Sequence, residues 1–88
     1  QNIELSIQRL SYEDIFAFLK ANVRVSKSEA KALVEALFHK AVVQERVVLS
    51  DSLLQNFDNA YRLLELNSRP QSVLAMLVMG LVEDKNAS

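Results

Sequence analysis

Few side chains in this 88-residue sequence stand at spacings that chemistry can use. His39 is the one histidine, and there is no cysteine. A metal site, or a histidine activating a nucleophile, needs several groups converging on one point. No second histidine and no HxxxH-type spacing accompanies His39, so it reads as a solvated residue at the edge of a helix. The flanks in Phe38-His39-Lys40 are bulky. That argues against a phosphorylated histidine of a four-helix phosphotransfer domain, which needs small neighbours for the donor to approach. Glu13-Asp14 and Glu83-Asp84 are adjacent carboxylates, but neighbours on a helix point about 100° apart. Neither pair adjoins an apolar pocket that would separate its pKa values for acid–base work. Gly80, the single glycine, cannot build a phosphate-cradling loop. The expectation is a protein that is not an enzyme, with no metal, no cofactor and no evident small-molecule substrate.

Composition narrows the class. Half of the residues are apolar, 24% are charged, and there is one proline. Turn-rich β-sandwiches and barrels need far more Gly and Pro than this, so an all-α fold remains. Ten Lys/Arg against eleven Asp/Glu give a net charge of −1, without the basic excess usual for a free-standing nucleic-acid binder. The longest apolar run, Val73 to Val82, is half of the roughly 20 residues that a membrane span requires, so no membrane partner is expected. No basic leader precedes an apolar stretch, and the absence of cysteine fits a reducing, cytoplasmic compartment. The first residue is Gln, which suggests that 1–88 is a single helical domain taken from a longer protein.

The elements follow from periodicity and caps. Residues 1–10 alternate (Ile3, Leu5, Ile7), as in a short strand, yet Ile3, Ile7 and Leu10 also fit one helical face. Ser11 caps a first helix over 12–21, with Glu13 and Asp14 in its first turn and Tyr12, Ile15, Phe16 and Leu19 as its apolar stripe. Ser26-Lys27-Ser28-Glu29 has the form of a capping box. It opens a second helix over 27–43 with the face Ala30, Leu33, Val34, Leu37, Phe38 and Ala41. On its outer surface Lys31 and Glu35 are spaced to pair weakly. Val42, Val43, Val47 and Val48 then favour a helix end and an extended link, with short strands or a longer helix as alternatives. Ser50 or Asp51 caps a third helix over 51–67, striped by Leu54, Phe57, Tyr61 and Leu64 and widened by Leu53 and Ala60. Pro70 starts a fourth helix over 70–83, and 83–88 reads as a frayed polar tail. The fold class is therefore a compact all-α bundle of about four short helices.

Three stretches resemble known families. Val25-Ser26-Lys27-Ser28-Glu29-Ala30-Lys31-Ala32-Leu33-Val34-Glu35-Ala36-Leu37-Phe38 resembles the second helix of the HU and integration host factor DNA-bending proteins, over about a sixth of the chain. The family's Gly-Phe-Gly turn and basic β-arm are missing; only Arg69-Pro70 resembles the arm's Pro-containing tip. Phe18 to Asn22, with the helix order that follows, is similar to small enterobacterial regulators of biofilm formation and acid resistance, which are helical dimers. Both resemblances imply a regulatory role. Asp51-Ser52-Leu53 resembles the Asp-Ser-Leu of acyl carrier proteins, in which the serine receives phosphopantetheine. Here Ser50 replaces the usual glycine, and Leu54-Gln55-Asn56-Phe57 lacks that family's acidic docking face. Helix capping alone also places Ser and Asp at such a position.

The strongest remaining signal is the fourth helix, apolar on every side. Such a helix must be surrounded, either by its own fold or by a partner chain. The favoured expectation is a regulatory protein-interaction module that forms a homodimer or docks a protein partner through Val73, Leu74, Met76, Leu77, Val78 and Leu81. The alternative places that helix at the centre of a single-chain core. The rival class is a small dimeric DNA-associated regulator, with Arg9, Lys20, Arg24, Lys27 and Lys31 gathered around the turn between the first two helices.

Overall fold

A computed structural model describes Ile7, residues 10–45 and residues 50–87, the last three of these as backbone. Four α-helices follow in order, α1 (Tyr12–Ala21), α2 (Lys27–His39), α3 (Asp51–Glu65) and α4 (Pro70–Ala87). One turn of π-helix, Lys40–Gln44, continues α2. There is no strand among the described residues, and the all-α bundle expected from the sequence is what forms. The strand-or-helix alternatives for 1–10, apart from Ile7 and Leu10, and those for 46–49 fall outside the described residues.

Serine oxygens start three of the helices. Ser11 Oγ accepts from the Asp14 N–H at 3.2 Å. Ser50 Oγ accepts from the Leu53 N–H at 3.0 Å, so Ser50, not Asp51, is the cap of α3. Ser26 and Glu29 form the full capping box. The Glu29 N–H donates to Ser26 Oγ at 3.1 Å, and the Ser26 N–H donates to Glu29 Oε1 at 2.9 Å. Each cap satisfies an otherwise orphaned helix-end donor and contributes about 1 kcal/mol. Pro70 occupies the first position of α4, where its missing N–H costs nothing.

Helix ends differ from expectation in three places. The last part of the helix expected over 27–43 is π rather than α, the Glu45 N–H donating to the Lys40 carbonyl at 2.8 Å across an i→i+5 turn. α3 ends at Glu65, two residues short of the expected 67. α4 runs on to Ala87, four residues beyond the expected frayed point. The C-terminus of α3 is a Schellman motif: the Ser68 N–H reaches the Leu63 carbonyl and the Asn67 N–H reaches the Leu64 carbonyl, both at 3.0 Å. Closing it requires a left-handed residue, and Asn67 takes that role at φ 64°.

The centre of the bundle is α4, which packs on α1, α2 and α3, while α2 also packs on α3. Its Val73, Leu74, Leu77, Val78, Leu81 and Val82 are all buried, meeting Leu33 and Leu37 of α2 and Phe57, Ala60 and Leu64 of α3 in one cluster. Ile7 and Leu10 complete that cluster from the N-terminal side, with the Ile7 N–H donating to Glu45 Oε2 at 2.9 Å. A radius of gyration of 11.8 Å matches the roughly 12 Å of a compact chain this long, so the helices share one core. Gly80 lets α3 approach α4: a Cβ there would lie 2.9–3.1 Å from the Asn56 side chain. No described helix is long and apolar enough to cross a membrane.

Candidate functional site

The structure redistributes the residues that the sequence singled out. Five of the six expected interface residues on α4 (Val73, Leu74, Leu77, Val78, Leu81) are buried inside the single chain, and only Met76 is exposed, at 46%. A surrounded helix was required, and the chain's own α1, α2 and α3 do the surrounding. A partner could reach those five side chains only by displacing the core.

The expected basic cluster is divided. Lys31 is ion-paired with Glu65 of α3, not with Glu35, and it lies 5.3 Å above the Tyr61 ring. A lysine placed four residues before a glutamate is the weaker helical orientation, which leaves the cross-helix carboxylate favoured. That hydrogen bond holds the Lys31 ammonium above its ordinary pKa and the Glu65 carboxyl below its own. Lys27 Nζ donates to Asn67 Oδ1 at 3.0 Å, and Arg9 lies outside the described residues. Lys20 and Arg24 are exposed with no ion pair among the described residues. The first two helices are not a packed helix-turn-helix pair, since α1 rests on α4 and not on α2. His39 is exposed at the end of α2, and Ser52 is exposed in the first turn of α3. No cluster of three or more His, Cys, Asp or Glu able to hold a metal occurs among the described residues.

What remains accessible is an apolar groove between α2 and α3. Its lining is Val34 and Phe38 from α2 with Leu54, Phe57 and Tyr61 from α3, and its volume is about 340 Å³. Phe38 and Phe57 meet edge to face, with ring centroids 5.1 Å apart and planes at 78°. This geometry suits aromatic quadrupoles. Glu35 and Asp58 stand on opposite rims, and Asp51 extends the acidic edge along α3 beside Leu54. The Lys31–Glu65 bridge lies beside Tyr61, one turn beyond Asp58 on α3. Asp58 also accepts from Arg62 at 2.9 Å, but both side chains are largely exposed, so this pair contributes little. The groove is apolar along its floor and carboxylate-bearing at its rims.

A second unpartnered apolar surface lies on α1. The sequence stripe put Tyr12, Ile15, Phe16 and Leu19 together. The buried face is instead Ile15, Phe18 and Asn22, rotated by about 70° at 100° per residue. Packing on α4 sets that rotation, and it leaves Tyr12 and Phe16 exposed, Phe16 at 69%, with Val23 exposed past the end of α1. Asn22 tolerates burial because its Nδ2 donates to the Phe18 carbonyl at 2.8 Å.

The sequence singles out neither surface, although α3 carries a hint. Its apolar positions Leu53, Leu54, Phe57, Ala60, Tyr61 and Leu64 spread wider than one neighbour covers, and the excess, Leu54 and Tyr61, is what stays exposed. No family model, no curated protein and no solved structure matches this chain.

Proposed function

We propose that this chain is a non-enzymatic, regulatory protein-interaction module of the cytoplasm, and that it receives an apolar helical surface of a protein in its α2–α3 groove. The observation that carries this reading is the groove itself, floored by five apolar side chains of which Leu54 and Tyr61 are each more than a third exposed. An apolar concavity with a charged rim is the form in which an amphipathic helix is received, its apolar face setting affinity and its flanks setting orientation. Freedom from cysteine suits a reducing compartment.

The test is in-cell photo-crosslinking, with a photoactivatable side chain in place of Leu54 and, as the control, in place of Asn59 outside the groove. A protein adduct from position 54 that is absent from position 59 supports the reading. Equal or no adducts from the two positions overturn it.

A further inference from the structure

We infer that the groove's occupant is a cationic amphipathic helix of a protein partner, its apolar stripe seated on the floor between Leu54 and Tyr61 and its flanking Lys or Arg set against Glu35 and Asp51. The inference rests on the groove being a docking site and adds the chemistry of what docks there.

Charge carries it. Four carboxylates stand around the groove: Glu35 on the α2 rim, Asp51 and Asp58 along α3, and Glu65 past Tyr61. Two cations accompany them, and both are already engaged, Lys31 with Glu65 and Arg62 with Asp58. Lys31 stands between Glu65 and Glu35 and ion-pairs with Glu65 alone. Glu35 and Asp51 are thus exposed with no ion pair among the described residues. The excess at this groove is two negative charges, on a chain whose whole net charge is −1. Asp51 lies in the first turn of α3, where the helix dipole supplies only about half a positive charge. Part of its charge therefore remains for a partner.

The carboxylates are also placed where a helix can use them. Asp51, Leu54 and Asp58 follow one another at i, i+3 and i+7, so acidic groups bracket the exposed Leu54 along one edge of α3. Glu35 faces them from the opposite rim. A Lys or Arg beside an apolar stripe can lay its aliphatic stem on the groove wall and its charged head on a rim carboxylate. An acidic helix, a nucleic-acid phosphate or an anionic lipid headgroup sets like charges against Glu35 and Asp51 and is rejected.

The test selects helices on the intact chain. A displayed library of short helical peptides carries apolar residues at i, i+3, i+4 and i+7 and Lys, Gln or Glu at the positions flanking that stripe. A peptide of the chain's own α1, Tyr12–Ala21, is included. Counter-selection on Leu54→Ser discards peptides that do not use the floor. Lys is expected to outnumber Glu at the flanks by about tenfold or more. The best Lys-flanked peptide, dye-labelled, is then titrated by fluorescence anisotropy. Glu35→Gln/Asp51→Asn is expected to weaken its binding about threefold to tenfold. Glu13→Gln/Asp14→Asn removes the same charge from α1, which does not pack on α2 or α3, and is expected to leave binding within about twofold. Circular dichroism checks that each variant is folded.

Glu- or Gln-flanked peptides enriched as strongly as Lys-flanked ones, equal losses in the two double variants, or the α1 peptide enriched above all others overturns the inference. In those cases dependence on Leu54 still leaves the interaction-module reading standing. A library that yields no Leu54-dependent peptide also overturns the inference, and the crosslink from position 54 then decides the module reading by itself.

Discussion

Replacing Leu77 by Ala distinguishes a single-chain core from an interface at α4. Leu77 is 1% exposed and sits on the helix that touches all three others. The change removes three methylene equivalents at about 0.8 kcal/mol each, about 2.4 kcal/mol in transfer alone. The cavity adds a further term, bringing the loss to about 3–4.5 kcal/mol. A domain of this length has a total stability of about 4–13 kcal/mol, so the variant is marginal yet measurable. With a urea m-value of about 1–1.5 kcal/mol/M, the midpoint falls by about 2–4.5 M. Met76→Ala, one residue earlier on the exposed side, costs less than about 1 kcal/mol. The assay is urea unfolding followed by circular dichroism, with the wild type repeated at a tenfold lower chain concentration. A Leu77→Ala loss below 1 kcal/mol, or one no larger than that of Met76→Ala, refutes the reasoning. So does a wild-type midpoint that rises with chain concentration between about 1 and about 10 µM together with a Leu77→Ala midpoint that does not, because the α4 core would then depend on a second chain.

Two further outcomes follow from the helix ends and the exposed charges. Asn67→Gly is expected to raise stability by up to about 1 kcal/mol by removing the left-handed cost, whereas Asn67→Val loses about 1–2 kcal/mol; thermal melts that rank Val above Gly contradict the Schellman assignment. The Ser26 backbone N–H, then the Ser26 hydroxyl, hold Glu29 below its ordinary value, as the Lys31 hydrogen bond does Glu65. Both therefore contribute stability above their unfolded-state values and lose it as pH falls through the folded-state ones. Lys31, held above its ordinary value, acts in the opposite sense, losing its contribution as pH rises through its folded-state value. A Glu29→Gln/Glu65→Gln chain should show a shallower acid decline in melting temperature, an effect that added salt diminishes. An acid limb parallel to the wild type's contradicts both assignments.

Local physics wrote much of this fold into the sequence. Ser11, Ser26 with Glu29, and Pro70 identify helix starts because capping and proline stereochemistry act within a few residues, and of the expected face on α2 and its π turn Ala30, Leu33, Val34, Leu37 and Ala41 are buried, with Phe38 partly buried. Tertiary structure decided what periodicity leaves degenerate. The stripe on α1 is wide enough to face the core in more than one rotation, and packing against α4 chose Ile15 and Phe18 over Tyr12 and Phe16. An all-apolar α4 states that it must be enclosed but not by what, because burial depends on area removed from water and not on which chain removes it. Lys31 likewise had one local partner in Glu35 and one distant partner in Glu65, and only the approach of α3 to α2 decided between them. The candidate site lies in that second category: a groove belongs to two helices at once, and neither helix's sequence contains it.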